Sequence, residues 1–323
     1  MTMIMPTSFL LPEDLLALAL KITAGTTATI TVVNLCILFF FLQKNKPADA
    51  DDNDNDDNAK THHHHHHHHR QEALDASHQL TNGLINFGLG VYGTVICVAA
   101  HYNNPSEPIL VASFSHYQDD ILNHIIGYAT LHHISFAAMQ VGYNLWNLPY
   151  GYFLVNEPPA MIAHHIMVII TTSLSAYSNF GNRIHVPFFL GMYEVSTVPL
   201  AIMNYLKVKG HREWVEQSSV LRAVRDISQL SFAVLFLGIR IVLGTPHIYC
   251  IASASFHAAF TKMDNVDADV LPLVGRMWIA FVFMGHIGLA MLQYYWAFLI
   301  VKGLAKMFMP SSKSKKEEEK KKN

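Results

Sequence analysis

The length of its apolar stretches is the feature that most limits how this chain can fold. Seven stretches approach or exceed the roughly 20 apolar residues that cross a bilayer as a helix, and only 14% of the residues are charged. The predicted spans are 15–42, 82–101, 121–147, 159–178, 186–206, 228–246 and 273–302. Because backbone in lipid must satisfy its own hydrogen bonds, and no stretch alternates as a barrel strand does, each span is predicted to be a helix.

The predicted fold class is therefore all-α: a polytopic membrane helical bundle with about seven transmembrane helices. Residues 1–43 are predicted to form an N-terminal transmembrane anchor, because Glu13 and Asp14 stand where a cleaved signal peptide carries basic residues. Residues 78–308 are predicted to form the main helical domain. The short apolar segment 247–262 is predicted to be interfacial or re-entrant.

Basic residues in the connections predict the orientation of the chain in the membrane. Lys and Arg number 4, 5 and 8 in 44–79, in 207–227 and in the tail from Lys302. The segments on the opposite side, 1–14, 101–120, 179–185 and 247–272, hold 0, 0, 1 and 1. The counts predict a cytosolic C-terminus, with 309–323 as a basic cytosolic tail. Its final lysines, followed by Asn323, resemble a dilysine signal that keeps proteins in the endoplasmic reticulum.

A histidine run at 62–69 is the most conspicuous sequence feature but is expected to carry little chemistry. It ends a tract of Asp, Asn and Lys in which nothing could bury a core, so 44–77 is predicted to be a disordered cytosolic linker. Polyhistidine can bind zinc in solution. A flexible run, however, sets no coordination geometry and has no supporting second shell.

Ionisable residues inside the predicted spans are a stronger functional signal, because such residues are rare in lipid and usually face the interior of a bundle. They are His124, His132, His133, His164, His165, Glu194, Arg240 and His286. Glu194 and Arg240 are predicted to lie near the membrane midplane and to pair directly, or to share a network with His132 or His133. Such an ion pair could only fix the packing of the helices, or it could take part in the function of the protein.

The adjacent residues His164 and His165 are predicted to lie near the cytosolic face, level with Asn144 and Asn147. Neighbouring helical residues point about 100° apart, so the two imidazoles cannot aim at one target. One is expected to line a cavity while the other bonds a neighbouring helix. Taken singly, either histidine could also be a satisfied core residue.

A metal site is not predicted, so the expected metal and cofactor content is none. Membrane di-iron enzymes and elongases use boxes of the form HxxHH, but Met161 and Ile162 stand three residues before His164 and His165. Ala129 and Thr130 stand at the equivalent places before the other doublet, and HExxH does not occur.

The order and spacing of several motifs resemble the TLC-domain family, which includes ceramide synthases and translocon-associated membrane proteins. The motifs are GYNLWNL, IAHHI, SNFGNR, FLGMYEVSTVPLAIMNYL, FLGIRIV and LQYYWAFLIVKGLAK. The resemblance covers 78–308 and implies a bundle of helices around an internal cavity, with His164 and His165 on its wall as candidate catalytic residues. The lipid-cavity residues that it implies are Tyr143, Asn147, Glu194, Ser196 and Arg240.

In ceramide synthases the double histidine serves N-acyl transfer from acyl-CoA, the co-substrate implied if this chain is an acyltransferase. An imidazole can take the proton of the attacking amine. This sequence departs from the synthase pattern, because Gly191-Met192-Tyr193-Glu194 stands where synthases carry aspartates, and Asn147 replaces another. The resemblance is therefore closer to the non-synthase members. The loss of carboxylates argues against catalysis, which stays open.

Three functions stay open on the sequence. The first is a lipid-homeostasis protein of the endoplasmic-reticulum membrane that binds a lipid in its bundle and influences sphingolipid or phospholipid composition. The second is a ceramide synthase-like N-acyltransferase, and the third is a translocon-associated protein. The expected partners are membrane lipids and not nucleic acid, and homo- or hetero-oligomers are compatible with the sequence.

Overall fold

A computed structural model describes residues 12–44, 59–103, 131–177, 186–260 and 273–308, and in these ranges every regular element is helical. The elements are α1 (Glu13–Lys44), α2 (Ala59–Asn103), α3 (Leu131–Phe153), α4 (Pro159–Tyr177), α5 (Val186–Leu190), a 3₁₀ turn (Met192–Ser196), α6 (Thr197–Lys207), α7 (Lys209–Gln217), α8 (Ser219–Leu235), a π-helical segment (Phe236–Leu243), α9 (Gly244–Phe260) and α10 (Leu273–Phe308). The predicted all-α class is confirmed.

Within the described ranges, six helical stretches are long and apolar enough to cross a membrane. They are Glu13–Gln43, Arg70–Val98, Pro159–Tyr177, Val186–Lys207, Ser219–His257 and Arg276–Lys306. Helix α3 corresponds to the remaining predicted span from Leu131 onward, and residues 121–130 lie outside the described residues. Buried amides such as Gln140 and Asn144 dilute the apolar character of α3. About seven spans therefore remains a fair description of the chain.

The predicted break at 247 does not occur. The chain is helical without interruption from Ser219 to Phe260, with the π-helical segment in the middle. The prediction of a separate interfacial or re-entrant piece at 247–262 is therefore wrong for 247–260. Buried Cys250 and Ile251 lie on α9, which packs along α10, so this apolar segment extends a long helix.

The predicted linker also begins to be structured earlier than its composition indicates. Helix α2 starts at Ala59, so the histidine run lies in its first turns. Ala73 and Ala76 are buried, and Ser77 bonds Tyr150 of α3 across 3.2 Å. The prediction of a disordered linker is therefore wrong for 70–77, because small residues at helical spacing let α2 pack closely against its neighbours there.

Helix α1 docks on α3 through close backbone contact and hydroxyl bonds. Thr23 Oγ1 donates to Ala138 O across 3.1 Å, and Thr27 Oγ1 donates to Gly142 O across 3.0 Å. A Cβ added at Gly142 would lie 2.6 Å from Thr23 O, so only glycine permits this approach. Small residues and hydroxyl bonds are the usual means by which helices associate where lipid supplies no hydrophobic drive.

The packing order of the helices places an interior space beside α4. Helix α3 packs against both α1 and α4, α2 packs along α6, and α10 packs against α4 and α9. The outer surface is apolar, with large side chains that are more than half exposed: Phe39, Phe40, Val95, Val234, Val242, Met284, Met291 and Phe298. A surface of this kind fits lipid, since soluble monomers rarely expose such extended apolar area.

Candidate functional site

A cavity of about 400 Å³ lies among α2, α3, α4, α6, α10 and the π-helical segment. Its wall is rich in side-chain amides, namely Gln79, Asn82, Asn86, Gln140, Asn144, Asn147 and Asn204. Polar groups at this depth are costly unless they are bonded, and they usually mark a functional interior.

A narrower space of about 80 Å³ adjoins the cavity along α4. His164, Val168, Glu194 and Arg240 line both spaces. The α4 residues of the narrow space follow helical spacing from His164 through Val168 and Thr172 to Ser175, so they share one face. Its other walls combine apolar side chains such as Ile251 and Leu289 with polar ones such as His286 and Gln293. The combined space therefore has most of its side-chain amides at one end, and its surface is mostly apolar throughout.

His165 ties α4 to α3. Its Nδ1 lies 2.9 Å from Asn144 Oδ1, and its Nε2 lies 3.0 Å from Asn147 Nδ2. Asn144 donates its amide to Gln140 O across 2.8 Å, so its oxygen faces the imidazole. Because a carbonyl oxygen only accepts, Nδ1 of His165 carries the proton, and Nε2 accepts from Asn147 in the neutral ring.

Glu157 lies between two histidines in the turn that joins α3 to α4. Its Oε2 is 3.3 Å from His165 Nε2, and its Oε1 is 3.8 Å from His78 Nε2. Glu157 folds back over the end of α3. Its backbone N–H donates to Gly151 O across 2.9 Å. A Cβ at Gly151 would lie 2.6 Å from Glu157 Oε2, so glycine makes room for the carboxylate. If His165 takes a second proton at Nε2, Glu157 is its counterion.

His164 has a different role from its neighbour. Its ring meets Trp296 edge to face, with centroids 5.5 Å apart. Its Nδ1 is buried and has no hydrogen-bond partner among the described residues. His165 is thus bonded to a neighbouring helix, as predicted for one imidazole of the doublet, and both rings contribute to the cavity wall.

Arg240 is buried where the π-helical segment faces the 3₁₀ turn. It donates to Ser196 Oγ (2.9 Å), Thr197 Oγ1 (2.8 Å), Tyr193 O (3.1 Å) and Gln293 Oε1 (3.3 Å). Its Nη2 lies 3.9 Å from Glu194 Oε2, so the predicted pairing of these two charges is confirmed. The pair is held by Coulomb attraction across a gap longer than a hydrogen bond. Single π-helical turns within α-helices are frequent at functional sites.

The sequence-predicted site residues are largely brought together. Tyr143, Asn147, Glu194 and Arg240 line the cavity, as do both candidate histidines. Ser196 is fully buried behind the wall, where it bonds Arg240. Of the two histidines predicted as possible partners of the ion pair, His132 and His133, the first contacts Tyr92 across 3.2 Å.

Sequence reasoning missed several residues of the site, including the amides Asn82, Asn86 and Gln140 as well as Glu157 and His78. Glu157 is a lone acidic residue in a short turn just before the double-histidine helix, a position that could have drawn attention. His78 stands one turn before the predicted start of the second span. It stacks on Tyr150 with centroids 5.2 Å apart, and its Nε2 lies 2.7 Å from Asn147 Oδ1.

The fold and the site together define a multi-pass helical membrane protein with a polar interior. Residues 85–302, more than half of the chain, match the family model described as the TLC domain. The chain belongs to the TLC-domain family, and the resemblance stated from the motifs is confirmed. No curated protein and no solved structure matched it in the comparisons.

Proposed function

We propose that this protein binds a membrane lipid in the cavity beside α4 and thereby acts in membrane lipid homeostasis, on sphingolipid or phospholipid composition. The observation that carries the proposal is the shape and chemistry of the combined space. An amide-rich compartment adjoins a smaller one with fewer amides along a single helix face, and most of the surface of both is apolar. That arrangement complements an amphipathic molecule, with its headgroup among the amides and its chain along α4.

The proposal includes residence in the endoplasmic-reticulum membrane with a cytosolic C-terminus. The Lys and Arg counts of the connections and the lysines before Asn323 support it. Glu194 and Asn147 support a place among the non-synthase members, because synthases carry aspartates in these regions.

The test is to fill the space without changing the outer surface. Val168 is 3% exposed and lines both compartments, whereas Ile166 on the same helix is 42% exposed. Cells that lack the protein would be rescued with wild type, Val168→Phe or Ile166→Phe. We expect Ile166→Phe to restore the lipid profile and Val168→Phe to fail at equal expression. Full rescue by a folded Val168→Phe protein would overturn the proposal.

A second candidate function is acyl-CoA-dependent N-acyl transfer, for which acyl-CoA would be the co-substrate. The favouring observation is His164, whose side chain lines both spaces and whose Nδ1 has no hydrogen-bond partner among the described residues. An imidazole at this wall could take the amine proton as the amide forms and the CoA thiolate leaves. Purified protein given acyl-CoA and a long-chain base should then yield an amide, and His164→Ala should not. Lipid binding without amide formation would favour the first candidate.

A further inference from the structure

The histidine run at 62–69 lies inside helix α2, and this position changes what the run can bind. A flexible tract would set no coordination geometry. Helix α2, however, begins at Ala59 and continues through the whole run. Helical residues four apart lie on one face, with Cβ atoms about 5–6 Å apart. The helix therefore supplies the geometry that a flexible run lacks.

Eight consecutive histidines on one helix form four such pairs. Each histidine from 62 to 65 has a partner four residues later, from 66 to 69. Two histidines at this spacing on a helix hold zinc in the HExxH motif. A pair of this kind is therefore a chelate for one metal ion, and water would fill the remaining positions of the coordination shell. Imidazole nitrogen suits Zn²⁺, whereas Mg²⁺ and Ca²⁺ prefer oxygen ligands.

The start of α2 gains little helical stability from its own sequence. Histidine ranks well below alanine in helix propensity, and the first turn carries no acidic residue to interact with the helix dipole. Packing holds α2 to the bundle from Gln71 onward, since Gln71 Nε2 donates to Leu154 O across 3.0 Å and Ala73 is buried. Residues 59–69 extend the helix roughly 16 Å upstream of that anchor.

A metal ion that bridges two residues four apart closes one turn of helix. A non-helical chain does not hold the same two residues at that spacing, so the ion binds the helical chain in preference. A ligand that binds one conformation in preference stabilises that conformation. Metal binding and the helical start of α2 should therefore strengthen each other.

We propose that the histidine run is a Zn²⁺ site and that metal binding stabilises the first turns of α2. The inference goes beyond lipid binding and does not depend on it. The run belongs to the predicted cytosolic linker, so the metal would be drawn from the cytosol. Zn²⁺ would thereby set how much stable helix connects α1 to the bundle.

The sharpest test changes the spacing of the histidines and keeps their number constant. One variant retains His63 and His67, four residues apart, and its matched control retains His64 and His66, two residues apart, with glutamine at the other six positions of the run in each. On a helix, residues two apart point about 200° away from each other, whereas in a flexible chain they are the closer pair. Glutamine favours the helix, so neither variant disrupts α2. A third variant, with glutamine at all eight positions, gives the background.

Affinity is measured by isothermal titration of Zn²⁺ into the full-length protein, purified in detergent without an added polyhistidine tag. We expect the variant with His63 and His67 to bind at least about tenfold more tightly than the one with His64 and His66, since loss of a metal partner costs on the order of 10–100-fold in affinity. Hydrogen exchange measures the helix. In wild type and in the first variant, Zn²⁺ should slow exchange of the backbone amides at 62–69. A chelator should reverse this effect, and Mg²⁺ should not produce it.

Three results would overturn the proposal. Equal Zn²⁺ affinity of the two spacing variants would show that a flexible chain coordinates the metal. Zn²⁺ bound without slower amide exchange would show that the metal does not act on α2. Wild-type affinity no higher than that of the variant with eight glutamines would remove the site altogether. None of these results bears on the lipid cavity, which is tested by Val168→Phe.

Discussion

His165 Nδ1 lies 2.9 Å from Asn144 Oδ1, a bond that joins α4 to α3 inside the cavity wall. The adjacent imidazole of His164 makes no comparable bond from its buried Nδ1 to the described residues. The two adjacent histidines therefore have different structural roles. His165 holds the wall together, and His164 lines the cavity without such a bond from Nδ1.

The first prediction separates the two histidines by stability. His165→Ala should lower the free energy of unfolding by on the order of 3 kcal/mol, because Asn144 Oδ1 loses its donor and a buried void is left. His164→Ala should cost about 1 kcal/mol, the scale of its aromatic edge contact with Trp296. Thermal unfolding of the purified variants in one detergent measures both. Equal losses would contradict the division of roles.

The second prediction concerns the ion pair of Arg240 and Glu194. Arg240→Met should destabilise the protein by about 3–5 kcal/mol, because it leaves a partly buried carboxylate and the acceptor Ser196 without their partner. Adding Glu194→Gln should recover part of the loss, since the uncompensated charge is then removed. A double-mutant cycle on unfolding measures the coupling. Strictly additive effects would show that the 3.9 Å contact contributes nothing.

The third prediction tests the contact between α1 and α3. Gly142→Ala should cost about 1–3 kcal/mol, because the new methyl would lie 2.6 Å from the backbone oxygen of Thr23 and α1 would have to move. Gly88→Ala is the control, since a Cβ at Gly88 meets nothing within 4 Å. Thermal unfolding should therefore show a lower stability for Gly142→Ala than for Gly88→Ala, although both replace glycine by alanine. A Gly142→Ala protein as stable as the control would contradict the close approach.

The fourth prediction concerns orientation in the membrane. An epitope tag after Asn323 should be digested by protease added to intact microsomes, and a tag before Met1 should be protected. The expectation follows from the Lys and Arg counts of the alternating connections, because basic residues are retained on the cytosolic side. Protection of the C-terminal tag would reverse the topology.

Much of the fold could be predicted because apolar run length has a direct physical meaning in lipid. The runs around Val168, Ala201 and Ile279 are long enough that a helix is the only open structure able to satisfy their backbone. Helix ends were harder to predict. The chain continues as helix past His247, and α2 is packed from Ala73, because tertiary contacts with α10 and α3 decide where such segments end.

The candidate site was only partly predictable for a related reason. Depth along a helix can be counted from the sequence, so Glu194 could be matched with Arg240, and the double histidine with Asn144 and Asn147. The position of Glu157 could not be counted, because it depends on a turn that folds back over Gly151, with Asn156 at a φ of 51°. No periodic pattern encodes such a turn.

The sequence by itself determined that this chain is a helical membrane protein of the TLC family, because hydrophobic length and ordered motifs are local properties. The tertiary structure decided which polar atoms meet inside the bundle. It placed Glu157 between His78 and His165, committed His165 to Asn144, and left His164 with an unpaired nitrogen at the cavity wall. Those assignments depend on the rotation and close packing of several helices at once, which no single stretch of sequence specifies.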